Sequence, residues 1–551
     1  MRARPCSLLT FSAILSACAT PTSKVEPAGV AVSAPATPID ATKPSAVVAP
    51  TITTRAPLAP AHMALQPLEA PPSDAAARMQ WLNQNLDRLL GGVGQDPPAL
   101  PGASVSVLVV EQDTGRIIYA RNPDASLNAA SNVKLITSAA ALTLLGPEYR
   151  FETVVYGSPS PDGRLIGPGG KLQGDLVIKG SGDPGLEYPH LDRLAGQLAA
   201  LGIRQISGGL VVDASLFGDG SVPPHFDEKL ESGAFRAPSS AASLDGNTVS
   251  ITVVPGPATG TPARIAVVPQ SPYVSLTGRI LTTDREPAWP TLDTNETANQ
   301  TIVTLGGRVL IGSEPRTHRR RIGHPELNLG NAFIVALKGN GITLREGLRI
   351  GTAPEGLRRL ATHTSAALGV IVRSMNKQSD NFTAEQLLRK LGAETTRSPG
   401  TWKNGTEAVG HYLQSIGIAP ESYRLENASG LYDSNRFSAR QLVKLLAAAL
   451  SDFRIAGEYA ASLALAGSDG TLATRMVGTP AERYVRAKTG TLANASCLSG
   501  IVGAPGQKPL LFSILMNQLN DTALARAIQD QSSAALAWYL SPSATPGTDA
   551  R

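Results

Sequence analysis

Hydrophobic positions in this chain change their period several times, and each change predicts an element. After Ser73, read as an N-cap, Met79, Trp81, Leu82, Leu86, Leu89 and Leu90 recur at helical spacing and stop at Gly91-Gly92. Two strand-like runs, 103–110 and 116–119, flank Asp113-Thr114-Gly115 and predict a hairpin. The run from Ser131 to Gly146 is apolar on nearly every side (Val133, Leu135, Ile136, Ala139, Ala140, Leu142), which marks a helix buried inside a domain. From about 151 to 360 the texture turns to short strands with many glycines and prolines, at 175–179, 209–213, 248–254, 264–268 and 302–309. Helical patterning returns at 365–376, 380–391, 438–450 and 471–476, followed by strands at 484–488, 498–503 and 510–516 and a helix over 522–539.

This order predicts an antiparallel sheet covered by helices, an α+β or α/β sandwich built from 73–150 and 363–540. Between the two parts, 151–362 is expected to form an inserted β-rich region of one or two domains. Residues 19–72 hold eleven prolines among Ala, Thr and Val without any period and read as a disordered tether; 541–551 read as a disordered tail.

Composition narrows the picture little. Lys and Arg number 49 against 44 Asp and Glu, a net +5 over 551 residues, which does not suggest a nucleic-acid binder. The basic cluster His318-Arg319-Arg320-Arg321 is expected to be a solvated loop or hairpin tip. Residues 1–18 carry Arg2 and Arg4, an apolar core and then small residues, the pattern of an export signal. Of the three cysteines, Cys6 leaves with that signal, Cys18 closes it, and Cys497 sits in the apolar stretch CLSGIVGA, so no disulfide framework is expected and Cys497 reads as a core residue.

Candidate chemistry begins with Ser131 and Lys134, three apart and therefore on one helix face, a nucleophile beside its base. Alone this spacing is common, and an N-cap serine with a lysine reaching water would explain it as well. Two further motifs change the weighing. Ser379-Asp380-Asn381 lies between two predicted helices, and Lys488-Thr489-Gly490-Thr491 ends a predicted strand, with Gly490 expected to let a substrate backbone approach. By contrast Gly180-Ser181-Gly182-Asp183-Pro184-Gly185 mimics a dinucleotide fingerprint, but Pro184 and Pro189 interrupt the helix such a site needs, so it reads as a tight turn. No cofactor is expected, and His324-Pro325-Glu326 has no further ligand at metal spacing.

S-x-x-K, S-D-N and K-T-G in this order are the signature of penicillin-binding proteins and class A β-lactamases. The chain resembles the D-alanyl-D-alanine carboxypeptidases and DD-endopeptidases of the low-molecular-mass class C penicillin-binding proteins. The resemblance runs over about 76–540 and includes GSGDPGL at 180–186, APSSAASLDGN at 237–247, SDNFTAEQLLRKLG at 379–392, NASGLYDSNRFS at 427–438, AGSDGTLATR at 466–475 and VRAKTGTL at 485–492. The separation of 248 from Ser131 to Ser379 fits that family's habit of inserting domains; Asn427 stands where an aspartate is expected.

The resemblance implies a serine transpeptidase/β-lactamase-like sandwich that hydrolyses D-Ala-D-Xaa bonds of peptidoglycan stem peptides and takes β-lactams as covalent inhibitors. It implies that Ser131 attacks, that Lys134 accepts its proton, made neutral by burial and by the charge of Lys488, and that Ser131 and Thr491 N–H groups hold the oxyanion. Ser379 would relay a proton, Asn381 hold the acyl chain, and Lys488, Thr489 and Thr491 bind the terminal carboxylate. Leu15-Ser16-Ala17-Cys18 resembles a lipobox, implying a lipid anchor on Cys18, a periplasmic location and attachment to the outer membrane. A β-lactamase, with Glu421 or Glu426 serving deacylation, and a non-catalytic peptidoglycan-binding lipoprotein are the alternatives.

Overall fold

The structure, a computed structural model, describes residues 65–91, 100–159, 163–229, 231–269 and 271–541. The expected leader, most of the tether, the tail and Cys18 lie outside them. A six-stranded antiparallel sheet forms the spine, in the order Ala464–Leu465, Val485–Leu492, Ala495–Val502, Leu510–Asn517, Ser104–Glu111, Ile117–Arg121. Two adjacent interior strands join opposite ends of the sequence, Ser104 opposite Asn517 and Glu111 opposite Leu510.

Period-two alternation sorts the strand Ser104–Glu111 between two cores. Val105, Val107 and Val109 face a layer with Leu82, Leu86 and Leu89 of Ala75–Leu90 and with Ile528 and Ala535 of Thr522–Leu540. Leu108 and Val110 face the other layer, where the helix Val133–Leu145 lies among Leu368–Gln378, Asn381–Thr396, Trp402–Ser415 and Ala439–Ser451. The result is the expected α/β sandwich, helices on both faces of one sheet.

The insertion has many short strands and, in one of its two parts, two helices as well. One part is a mixed five-stranded sheet, ordered Leu348–Ile350, Leu210–Asp213, Leu176–Lys179, Glu152–Gly157, Arg358–Thr364, packed against helices Tyr188–Ala200 and Pro325–Gly339. The other is all β, with the triplet Arg316–Arg321, Thr248–Val254, Arg264–Val268 beside a four-stranded sheet centred on Thr301–Leu310. His318 to Arg321 are therefore strand residues rather than a loop tip, and two of the arginines are engaged: Arg319 Nη2 donates to Thr248 Oγ1 at 2.7 Å and Arg320 Nε to the Leu292 carbonyl at 2.6 Å.

Local chemistry corrects two boundaries. The first helix is capped by Asp74 rather than Ser73, its carboxylate accepting from Ala77 N–H at 2.8 Å. The helix expected at 471–476 is a single 3-10 turn at Gly470–Leu472, because Gly470 and Met476 take positive φ. GSGDPG does form a turn, closed by Asp183 Oδ1 accepting from Gly185 N–H at 2.8 Å, and the following helix starts only at Tyr188.

Ile136 is 1 % exposed at the centre of the helix-covered core. Ile136→Ala is expected to cost about 2–5 kcal/mol, read as a lower urea midpoint.

Candidate active site

Ser131 sits in a 3-10 turn, Ala130–Asn132, that feeds the buried helix Val133–Leu145. Ala130 is forced to φ +46 just before it, a conformation held by Asn128, whose Oδ1 accepts from Ala130 N–H at 2.8 Å. One turn on, Lys134 is fully buried. Its Nζ lies 2.9 Å from Ser131 Oγ, 2.7 Å from Asn381 Oδ1 and 2.6 Å from the Ser429 carbonyl. A neutral amine has two N–H donors and one lone pair. The amide and carbonyl oxygens can only accept, so they take both donors, and the lone pair is left for the serine hydroxyl.

Burial holds the Lys134 ammonium down to about 7, against the opposing pull of Asp380 and Glu385. Lys488, also fully buried, is pushed well below its ordinary value by burial first and then by the charge of Lys134. The repulsion between the two amines is mutual, and on both of them burial is the first cause of the lowering. Lys488 Nζ donates to Ser379 Oγ and to the Thr489 carbonyl, each at 2.8 Å.

Ser379 is the left-handed cap of Leu368–Gln378, and Asp380 caps Asn381–Thr396 by accepting from Thr383 N–H at 2.6 Å. Two helix ends therefore present Ser379 and Asn381 into one gap. Asn381 Nδ2 donates to the Phe235 carbonyl of the insertion at 2.9 Å, which leaves its second N–H unspent. On the strand Val485–Leu492, Thr489 Oγ1 meets Thr471 Oγ1 at 2.8 Å, and Thr491 is exposed at the rim.

Gly490 also makes room for the protein itself. A Cβ there would meet Ala129 O, Ala130 Cβ and Asn132 Nδ2, each at 3.0 Å, so the glycine admits the protein's own Ser131 turn and sets Thr491 beside it. Gly430 does the same from the opposite side, where a Cβ would stand 1.9 Å from the Ala130 carbonyl. All eight predicted residues Ser131, Lys134, Ser379, Asn381, Lys488, Thr489, Gly490 and Thr491 thus belong to one linked cluster. Cys497 is buried, its thiol pushed up to about 12 by burial, as a core residue.

Sequence reasoning missed the support of this cluster. Glu385, one helical turn beyond Asn381, is completely buried and accepts from Ser429 N–H at 2.9 Å, Ala428 N–H at 3.3 Å and Trp402 Nε1 at 3.2 Å. It fixes the loop whose Ser429 carbonyl holds Lys134. Asn427 closes the same loop, its Oδ1 accepting from Gly430 N–H at 2.9 Å and Asn435 Nδ2 at 3.0 Å. A neutral amide does this in a fully buried place without stranding a charge. The only sequence signal lay in the stretches around 379–392 and 427–438, which carried a resemblance without assigning work to Glu385 or Ser429.

Beside Ser379 and Asn381 opens a cavity of about 750 Å³, walled on its far side by Phe235, Asp245, Thr248 and Arg319 of the insertion. Fold and site together are those of a serine peptidase. The sequence profile of the D-Ala-D-Ala carboxypeptidase 3 (S13) family matches residues 82–538, and the chain belongs to this family. A D-alanyl-D-alanine carboxypeptidase of Actinomadura sp. is 34% identical over 487 residues, 86% of this chain and 87% of that protein. The D-alanyl-D-alanine carboxypeptidase DacB of Haemophilus influenzae is 26% identical over 412 residues, 74% of this chain and 84% of its own. The crystal structure of penicillin binding protein 4 from Haemophilus influenzae shares the fold with a TM-score of 0.70 at 24% identity, covering 82% of this chain and 97% of that one.

Glu385 stabilises the Lys134 ammonium, so Glu385→Gln is expected to move the deprotonation of Lys134 to a pH below about 7. The acid limb of the β-lactam acylation profile should shift to lower pH, and kcat should fall at least about tenfold as the Ser429 loop loses its anchor.

Proposed function

We propose that Ser131 is the nucleophile of a D-Ala-D-Xaa hydrolase that both trims terminal D-alanine from stem peptides and cuts the crosslinks between them. The observation that carries this reading is the buried Lys134 Nζ set 2.9 Å from Ser131 Oγ, with burial lowering the amine to about 7. Lys134 takes the hydroxyl proton as the serine oxygen bonds to the scissile carbonyl carbon. The oxyanion that forms is met by the N–H groups of Ser131 and Thr491, a type of donor pair whose members are each worth roughly a hundredfold to a thousandfold in rate. The proton taken by Lys134 is relayed through Ser379, hydrogen-bonded to Lys488, to the departing amine, and water then cleaves the acyl-enzyme, releasing the acid and restoring the Ser131 hydroxyl.

Lys488, Thr489 and Thr491 receive the terminal carboxylate. That anion restores the proton that burial drives off Lys488. The free N–H of Asn381 holds the acyl chain. A cavity of about 750 Å³ next to Ser379 is far larger than one amino acid needs, and it supports crosslink cleavage alongside carboxypeptidase action.

A β-lactam would acylate Ser131 and leave slowly; the Haemophilus influenzae protein has been crystallised with one. Of the carboxylates considered for deacylation, Glu426 is tied to His225 and Arg424 and Glu421 is exposed on a 3-10 turn, which favours this reading over a β-lactamase. The intact cluster likewise favours it over a non-catalytic binding protein.

The leader and its Leu15-Ser16-Ala17-Cys18 ending support a periplasmic lipoprotein anchored to the outer membrane through Cys18. Among the described residues no helix is long and apolar enough to cross a membrane. Cys18→Ser should abolish labelling by a fatty-acid probe in growing cells; labelling that persists would refute the anchor.

Brief exposure to benzylpenicillin should add one penicillin mass to the intact protein, and Ser131→Ala should remove that adduct completely. The acylation rate should climb about tenfold per pH unit below pH 7 and level off above it, because only neutral Lys134 accepts the proton. A rate flat between pH 5 and pH 8 would exclude Lys134 as the base.

A further inference from the structure

The all-β part of the insertion carries a second groove that the peptidase chemistry does not use. Of the four tryptophans, Trp402 and Trp538 are buried and Trp81 is half-buried, whereas Trp289 is 70% exposed. Its backbone is nevertheless fixed: the Trp289 carbonyl accepts from Arg308 N–H at 3.1 Å, and Pro290 follows with its locked φ. An exposed large aromatic on a rigid backbone marks a contact surface rather than a fraying loop. Beside the indole lies a groove of about 530 Å³ lined by Val253 and Val309 and edged by Glu286, Arg316 and His318.

Three features define what fits. The indole face carries negative quadrupole density, which attracts the weakly positive C–H groups on one face of a sugar ring. Around it stand a carboxylate, a guanidinium and an imidazole, suited to ring hydroxyls, and neither Glu286 nor Arg316 is spent on an ion pair among the described residues. His318 Nε2 is buried without a hydrogen-bond partner, and burial lowers the pKa of the ring, keeping it neutral and able to donate or accept. A lipid surface needs a contiguous apolar face, which Glu286 and Arg316 interrupt.

Resting on the peptidase reading above, we propose that this groove binds the glycan strand to which the substrate peptides are attached, with a sugar ring stacked on Trp289. Strand register separates the groove from the catalytic cavity. Ser250 and its partner Arg319 face the cavity, whereas Val253, its partner Arg316 and His318 have the opposite parity and line the groove. The glycan held there lies outside the catalytic cavity. It tethers the enzyme to the polymer and raises the effective concentration of neighbouring peptides at Ser131.

The test titrates the full-length protein with peptide-free glycan strands and follows tryptophan fluorescence, to which Trp289 is the exposed contributor. Binding should shift the emission to the blue, and Trp289→Ala should abolish the shift and weaken co-sedimentation with glycan at least about tenfold, the loss typical of an anchor aromatic. Hydrolysis of a soluble D-Ala-D-Ala peptide should stay unchanged in that variant, which also reports that it folds; Arg316→Ser serves as a second variant with the same expectation. Glycan binding equal to wild type in both variants, or none in the wild type, overturns the proposal. So does binding to anionic vesicles in place of glycan. Loss of the penicillin adduct in the wild type would overturn the peptidase reading instead, so the two failures are distinguishable.

Discussion

An amine without water around it must find every hydrogen-bond partner in the protein, and the geometry around Lys134 follows from that requirement. Two acceptors are brought to it from distant parts of the chain, Asn381 Oδ1 and the Ser429 carbonyl, and Ser131 completes the set. Removing either acceptor would leave a buried N–H unsatisfied, and charging the amine would place a third donor where only a hydroxyl waits. The Ser429 loop is therefore as much a part of the site as the serine. Behind it Glu385 spends its carboxylate on backbone N–H groups of that loop and on Trp402.

The helix Asn381–Thr396 carries this logic outward to the insertion. Ser239 Oγ donates to Gln386 Oε1 at 2.5 Å, and Gln386 Nε2 donates to the Ser240 carbonyl at 2.9 Å. Arg389, without exposed surface, donates to the Ser239 carbonyl at 2.7 Å and to the Gly218 carbonyl. Its guanidinium lies 4.2 Å from the Trp402 ring centroid and 4.6 Å from that of Phe217, and burial lowers it to about 10. One helix thus points Asn381 at the chemistry, Glu385 at the lysine's loop, and Gln386 and Arg389 at the insertion. Such buried polar bonds are strongly directional, so the insertion is held in register with the cleft it walls.

Much of this was legible in the sequence because it is written in local patterns. Apolar saturation from Val133 to Leu142 announced the buried helix, and the strand-like runs at 103–110 and 116–119 announced a hairpin. The three short motifs named the residues that converge. What stayed hidden depends on contacts remote in sequence. Glu385 reads as an ordinary helix surface residue until the loop at 428–429 is laid against it, and Gly490 reads as a substrate clearance until the Ser131 turn is found there. The helix Trp402–Ser415 was legible and overlooked, since Thr401 and Asn404 form a capping box just ahead of its apolar stripe. The helices Tyr188–Ala200 and Pro325–Gly339 were obscured by the glycine- and proline-rich texture around them.

The pairing of Ser104–Glu111 with Leu510–Asn517 has a consequence for when the enzyme can first act. Asn517 clamps the approach to the Ser131 turn from 389 residues away, its Oδ1 accepting from Asn128 N–H at 2.7 Å and its Nδ2 donating to the Asn128 carbonyl at 2.9 Å. A ribosome that has delivered Ser131, Lys134, Ser379 and even Lys488 has still not delivered the strand that locks the serine turn. Pairing over such a separation is slow, because loop closure precedes any return from contacts. A peptidase whose serine turn is clamped by the last strand of its own sheet is assembled only once that strand has paired.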